Sequence, residues 1–422
     1  MNKERQNTGT HKPEGFKDTP IGKLPADWEV ARLDEIAVPL TETAGQNKYE
    51  TVSISAGVGF VNQAEKFGKE LSGKQYEKYI VLHKGDFSYN KGNSNRYPQG
   101  CIYRLNDRES AAVPNVFESF RIVKGCPEYY EQLFVSGFLN HQLYKKINHG
   151  VRDDGLLNLT SKDFYGCYVP VPSTLEQEKI AKILSCYDKL IDNNQQLIEN
   201  YKLLKNHFIN TLFPSQGSAV PEVRFPSFSD SWTQQTFGQV YSERNEPGNS
   251  TLQTLSVSIR SGVSNGELDS EALGKVVLRS KDKTTYKHVY PGDLVFNMMR
   301  AWQGAIGVAK LEGMVSPAYI SAIPKGCLYP PFMNYLSKQE AIIYQINSLS
   351  YGVTDFRKRL YWDSFAKIQC TIPSFSEQQR ITELLEELDN LTDLYHRKLR
   401  ELKTQKQAIM HLLLSGIVRV SP

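Results

Sequence analysis

Cysteine is scarce and scattered. Cys101, Cys126, Cys167, Cys186, Cys327 and Cys370 stand singly in 422 residues, with no CxxC pair and no histidine at a matching spacing. That excludes a recognisable zinc site and fits reduced thiols in a cytosol. No apolar run is long enough to span a bilayer. The stretch Met1 to Thr19 is polar and carries Lys3, Arg5, His11, Lys12 and Lys17 without an apolar core, so residues 1–20 are expected to be a flexible tail and not a signal peptide. Charge imbalance is small too: a net +4 says little by itself about partners. Hydrophobic residues make up 40% and charged residues 23%, an ordinary globular composition, and the length suffices for about three compact units.

Catalytic signatures are equally missing. The chain has no HExxH. An adenine methyltransferase needs an Asn/Asp-Pro-Pro-aromatic step to hold a flipped base, but Pro330-Pro331-Phe332 is preceded by Tyr329. The string from Gly68 to Gly73, Lys74 and Gln75 resembles a phosphate-binding loop. Gln75, however, replaces the Ser/Thr that would hold Mg²⁺, and Gln63 to Phe67 is polar where a buried strand is required. Gly57-Val58-Gly59 lacks the third glycine of a dinucleotide loop, since Asn62 stands there. Because Gly57 is matched within the second half of the chain, a turn that both halves need explains it better. The sequence gives no positive sign of an enzyme, and no metal site.

What the chain does have is a duplication. Residues Ser173 to Leu184 lie over Ser374 to Leu385 at an offset of 201, with Phe164 over Phe365 and Pro172 over Pro373 at the same offset. Trp28 meets Trp232, Val52-Ser53-Ile54 meets Val257-Ser258-Ile259, Gly85-Asp86 and Asn90 meet Gly292-Asp293 and Asn297, and Gln99-Gly100 meets Gln303-Gly304. The order is kept and the offset changes only by small steps, as loop insertions produce.

Each half ends in one long amphipathic segment. Ser173 with Glu176, and Ser374 with Glu377, spell the S-x-x-E capping box after a proline. Apolar residues then follow at alternating spacings of four and three: Ile180, Leu184, Tyr187, Ile191, Ile198, Tyr201, Phe208 and Leu212 in the first, and Ile381, Leu385, Leu388, Tyr395, Leu399, Leu402, Ile409 and Leu413 in the second. A period of 3.5 sustained this far is a coiled-coil seam. Two ordinary core helices are the plainer alternative. Pro214 and Gly416 stop the segments, and at 1.5 Å per residue each helix would be about 60 Å long.

The fold class expected is therefore α/β (mixed α+β) recognition domains in tandem duplication, joined by two long helices forming an antiparallel coiled coil. The boundaries are a tail over 1–20, a first domain over 21–172, a spacer helix over 173–213, a Pro/Ser/Gly linker over 214–226, a second domain over 227–373 and a second spacer helix over 374–416. Within the domains, Thr51–Ile54, Tyr79–Leu82, Gly100–Arg104 and Asp293–Asn297 read as strands and Glu128 to Ile147 as a helix.

Amide-bearing and basic side chains interleaved with aromatics suit nucleic acid. The first block offers Asn90, Lys91, Asn93, Arg96 and Gln99 between Tyr89 and Gly100; the second offers Asn297, Arg300 and Gln303 around Trp302. Asn and Gln bind adenine edges, Arg binds guanine, and Arg or Lys neutralise phosphates. A further surface precedes each long helix: Arg152 in one half, Arg357, Lys358 and Arg359 in the other. The two helices carry nets of 0 and −1, leaving the remaining chain at +5, where DNA would be held. A solvated turn in each block is the bland alternative for any single residue.

These strings also carry a resemblance. Thr19-Pro-Ile-Gly-Lys-Leu-Pro-Ala-Asp-Trp-Glu-Val30, Gly85 to Asn90, Gly292 to Asn297, Trp302 to Gly307, Val315 to Tyr319 and the two Pro-x-x-x-Glu-Gln helix starts resemble the specificity subunit of type I restriction–modification systems, over nearly the whole chain. The resemblance implies a non-catalytic, cytoplasmic, DNA-binding subunit whose two domains each read half of a bipartite, asymmetric DNA site, while the helices set the spacing and dock partners. Those partners would be adenine-N6 methyltransferase subunits, two of them, using S-adenosylmethionine, and an ATP-driven, Mg²⁺-dependent restriction subunit; no cofactor is expected on this chain. The antiparallel helices would place the reading centres about one helical turn of DNA apart. A chain cut near Gln216 would keep its reading block and self-associate through the seam. A coiled-coil interaction scaffold without DNA readout is the alternative from another class, and a self-sufficient methyltransferase or nuclease is a third.

Overall fold

A computed structural model of the chain describes residues 15–67, 73–92, 97–147, 156–215, 218–249, 251–259, 262–265, 283, 285–352 and 358–420. Most of the string from Gly68 to Gln75 lies outside them. The chain divides into two compact units: Met1–Gln195 with Lys398–Pro422, and Gln196–Arg397. Each unit takes one of the duplicated blocks together with parts of both long helices.

The two units repeat one plan. In the first, β1 (Ala37–Pro39), β2 (Phe87–Asn90), β3 (Cys101–Arg104) and β4 (Glu118–Ile122) form an antiparallel sheet of order β1-β4-β2-β3. In the second, β5 (Tyr241–Arg244), β6 (Leu294–Asn297), β7 (Ile306–Val308) and β8 (Tyr319–Pro324) give β5-β8-β6-β7. Strand character comes from alternating β-branched and aromatic residues, whose inward side chains build the core. Tyr89 stacks on Phe164 at 4.8 Å, and Phe296 on Phe365 at 4.6 Å, so residues matched between the halves make the same contact. Short hairpins, Val52–Ser55 with Gly59–Asn62 and Leu255–Ser258 with Gly262–Asn265, account for the repeated glycine near Gly57 as a turn. Each block is closed by pairing its first and last strands: Glu29–Arg32 with Tyr168–Val171, and Thr233–Thr236 with Gln369–Ile372. Phe16–Thr19 pairs with Gly22–Pro25, so the end of the expected tail is a hairpin.

The stretch Glu128 to Ile147 is two helices, α1 (Pro127–Val135) and α2 (Asn140–Lys146). They break at Gly137, whose φ of +77° only glycine adopts without strain.

Two long helices follow the blocks: α3 (Thr174–Thr211) and, after α4 (Glu340–Leu349), α5 (Phe375–Leu414). Ser173 and Ser374 cap them, their hydroxyls accepting from the amides of Glu176 at 3.3 Å and Glu377 at 3.4 Å. The glutamates of the expected capping boxes go elsewhere. Glu176 accepts from the Trp28 indole at 3.0 Å and takes a bidentate pair from Arg419 at 2.7 and 2.8 Å. Glu377 accepts from Trp232 at 3.4 Å and takes a bidentate pair from Arg224 at 2.7 Å on both oxygens. The neighbouring glutamines act as clamps. Gln177 accepts from the Cys126 amide and donates to the Pro172 carbonyl, both at 2.8 Å; Gln378 accepts from the Tyr329 amide at 2.9 Å and donates to Pro373 at 2.9 Å. The Glu-Gln pair thus fastens each block to the start of its helix.

Arg224 and Arg419 lie in matching sites, each in a Val-Arg pair that follows a long helix. Arg419 also pairs with Asp27 at 2.6 and 2.8 Å and holds that carboxyl below its usual range, chiefly by hydrogen bonding.

In the first unit, Asp188 accepts from Lys406 at 2.5 Å and from Gln132 at 2.9 Å. In the second, Asp389 accepts from Lys205 at 2.5 Å and from Tyr335 at 3.0 Å. Every apolar seam residue named above is buried or half-buried, while Leu190, Leu203 and Leu394 on other faces are exposed.

Candidate nucleic-acid interface

The strands β2 and β6 end in Asn90 and Asn297, and both amides serve the backbone. The Asn90 side-chain oxygen accepts from the Gly92 amide at 2.8 Å and its nitrogen donates to the Ile54 carbonyl at 3.3 Å. The Asn297 oxygen accepts from the Met299 amide at 2.9 Å. This is the Asx turn, a short carboxamide closing the chain two residues on. The same turn closure accounts for the repeat of Asn in both halves. Lys91 is largely buried, its ammonium 2.5 Å from Glu118. Gln99 gives its carbonyl to the Tyr89 hydroxyl at 2.8 Å, and the residue lines a cavity of about 250 Å³ with Tyr97 and Leu143. At Gly100, φ is +74° and a Cβ would collide with the Asn90 carbonyl oxygen, so no other residue fits the turn.

Replacing Asn297 by alanine leaves the part-buried Met299 amide without its acceptor and should lower stability by about 0.5–1.5 kcal/mol, which thermal unfolding checks.

Two chain segments singled out separately in the sequence come together in each unit. In the first, the Lys91 carbonyl accepts from the Leu157 amide at 2.8 Å, and Gly92 bridges to Leu156. In the second, the Met298 carbonyl accepts from the Leu360 amide at 2.9 Å. The segment preceding each long helix therefore runs beside the turn that follows β2 or β6.

In the second unit this junction carries exposed Arg300, Gln303 and Arg359, with Lys358 half-buried beside them. Among the described residues no carboxylate pairs with Arg300 or Arg359. Their neighbours in the same unit behave otherwise: Arg224 is bound to Glu377, Arg244 to Asp293 and Glu246, Arg380 to Glu383. In the first unit, Arg32, Arg104, Arg108, Arg121 and Arg419 all have carboxylate partners. Asn93, Arg96, Arg152 and Arg357 lie outside the described residues.

Sequence reasoning missed the buried ion pairs that hold the sheets. Asp86 is bound by Arg121 at 2.6 and 2.9 Å; Asp293, its counterpart, by Arg244 at 2.7 and 2.9 Å. The repeated Gly-Asp was the available signal, but the arginine comes from β4 in one unit and β5 in the other, so no shared offset revealed it. Burial pushes the Cys167 thiol up to about 11 and the Cys370 thiol up to about 12, leaving both as inert packing groups at neutral pH. Among the described residues, no His/Cys/Asp/Glu group is placed to hold a metal ion, and no helix is long and apolar enough to cross a membrane.

A duplicated block that carries its basic, amide-bearing turn beside the segment leading into a long helix defines the class as a tandem DNA-recognition protein. A family model described as the type I restriction modification DNA specificity domain matches residues 25–203 and 258–404, and the chain belongs to that family: it is a specificity subunit, the component that confers DNA sequence recognition on a type I restriction–modification system. It is 23% identical over 441 residues to the type I restriction enzyme MjaVIII specificity subunit of Methanocaldococcus jannaschii, covering 97% of each chain. The MjaIX specificity subunit of the same organism is 28% identical over 221 residues, 46% of this chain and 47% of that one. Among solved structures, a type I restriction–modification S subunit from M. genitalium superposes with a TM-score of 0.55 at 15% identity, covering 94% of this chain and 98% of the other. The fold is shared although little sequence is. Membership sets aside the scaffold without DNA readout.

Proposed function

We propose that each unit reads one half of a bipartite, asymmetric DNA site through the junction of its β2 or β6 turn with the segment leading into the long helix. The observation that carries this is the repeated backbone bond, Lys91 to Leu157 and Met298 to Leu360, which joins in both units two segments of basic and amide character. The domain boundaries follow the sequence: 21–172 and 227–373 read, 173–213 and 374–416 space, 214–226 links. The helices form an antiparallel coiled coil. Support comes from the near-constant sum of paired residue numbers, 188 with 406, 389 with 205 and 201 with 395, which falls out of opposite chain directions.

The chain itself is non-catalytic and cytoplasmic. Two methyltransferase subunits dock on the helices and bring S-adenosylmethionine; a restriction subunit brings ATP and Mg²⁺. The two half-sites differ, because Lys91 and Arg96 in one block stand where Met298 and Arg300 stand in the other.

Mapping methylated adenines in cells with and without the gene tests the reading. One split motif with unlike halves and a fixed gap should vanish on deletion; a continuous or palindromic motif overturns it. Purified chain with S-adenosylmethionine and DNA should leave the DNA unmodified, and methyladenine formed by rigorously pure protein refutes the non-catalytic assignment.

A further inference from the structure

We infer that Arg300 reads a guanine in the half-site of the second unit. The inference rests on the junction being the reading surface, and goes beyond it by naming the base. Four observations converge. Asn297, the obvious base reader of this turn, is occupied by the Met299 amide. Arg300 is exposed and, among the described residues, has no carboxylate partner, unlike Arg224 and Arg244 of the same unit.

Its backbone is fixed. The Arg300 amide donates to the Asn297 carbonyl at 3.0 Å, and the Arg300 carbonyl accepts from the amides of Gln303 at 3.0 Å and Ala305 at 3.1 Å. The Trp302 indole donates to the Met299 carbonyl at 3.0 Å and closes the same turn from outside. The side chain therefore leaves a rigid platform, which lowers the ordering cost of a directional contact. An arginine needed only for phosphate attraction has no use for such a platform, because a point charge tolerates loose placement. A guanidinium meeting the O6 and N7 acceptors of guanine in the major groove does need it, since both hydrogen bonds form in one geometry. The Leu360 amide, which donates to the Met298 carbonyl at 2.9 Å, holds the adjoining Arg359 beside this turn, and the Arg359 backbone also pairs two ways with Tyr351, at 3.0 and 3.1 Å.

The test is selection of bound sequences from a random duplex pool by the full chain, as wild type, R300A, R300K, Q303A and R359A. Wild type should enrich a motif with a guanine in one half. R300A should lose the preference at that one position, by about 10- to 100-fold in discrimination, and leave the other half unchanged. R300K should keep a weakened guanine preference. Uniform loss of affinity across all sequences in R300A, with the motif intact, would make Arg300 a phosphate contact and overturn the inference. If R300A leaves the motif intact while Q303A or R359A alters it, the surface stands and the role of Arg300 falls. If none of the three alters it, both fall. Because Arg300 is exposed and makes no ion pair among the described residues, R300A should fold as wild type does, and thermal unfolding of each variant checks this.

Discussion

Replacing Glu377 with alanine should cost the second unit about 3–5 kcal/mol, enough to unfold a marginal block outright. The Glu377 carboxylate is 1% exposed and has three partners: both arms of Arg224 and the indole of Trp232. Desolvating an ion pair is expensive, and what keeps this one favourable is its bidentate geometry. Alanine removes the acceptor while Arg224 stays largely buried, so an uncompensated cation remains beside an orphaned indole N–H. Glutamine keeps an acceptor for Trp232 but no charge, and should fall between alanine and wild type. The control is Glu383→Ala on the same helix. Its pair with Arg380 is well exposed on both sides, and such a pair contributes about 0–1 kcal/mol. Urea unfolding followed by tryptophan fluorescence separates them; equal loss in E377A and E383A would sink the argument.

Glu176 with Trp28 and Arg419 should behave alike in the first unit, with one addition. Arg419 also holds Asp27 below its ordinary carboxylate range. A depressed folded-state value means the Asp27 contribution is present above its unfolded value near 3.8 and fades as pH drops below it.

These clamps mark the boundary of what the sequence disclosed. The duplication was legible because its offset drifts slowly, and the long helices because a regular apolar period is a one-dimensional signal. The role of Glu176 was not. A glutamate three residues after a serine fits a local capping rule, whereas its real partners lie 148 residues upstream and 243 downstream. Local patterns carry no information about such distances. The turn-closing bonds of Asn90 and Asn297 escaped for a related reason: a polar residue repeated in a basic turn fits base contact and turn closure equally, and the bonds to the Gly92 and Met299 amides are made only in the fold. In the second turn, Met299, Arg300 and Gln303 are left exposed. The break at Gly137 escaped because apolar spacing runs on across it.

A chain truncated after Pro226 should form a symmetric dimer, whereas one truncated at Gln216 should associate far more weakly. The first unit requires residues 398–422: Leu413 and Leu414 lie in its core, Lys406 meets Asp188, and Arg419 meets Glu176. A half-chain lacks all of these. A second copy can supply substitutes from its own residues 196–226, since Lys205, Leu212, Phe213 and Arg224 play the same parts in the second unit. Lys205 against Asp188 recreates the Lys406 pair without a new charge. Phe213 in place of Leu414 is the largest steric change, and overpacking of that kind costs about 1–3 kcal/mol. The cut at Gln216 keeps the seam but discards Arg224, leaving Glu176 buried without its guanidinium, so dimerisation through the seam alone must bear that penalty. Self-association would convert an internal repeat into a true two-fold relation, and with methyltransferase subunits the dimer should methylate a palindrome built from the first half-site and its inverted repeat. Light scattering on the two truncations, and on the longer one carrying Arg224→Ala, decides the structural part: the longer should be dimeric, and the R224A form should fall towards the behaviour of the shorter. A longer chain that stays monomeric, or that directs the original asymmetric motif, rules out the exchange of matching segments on which the argument depends.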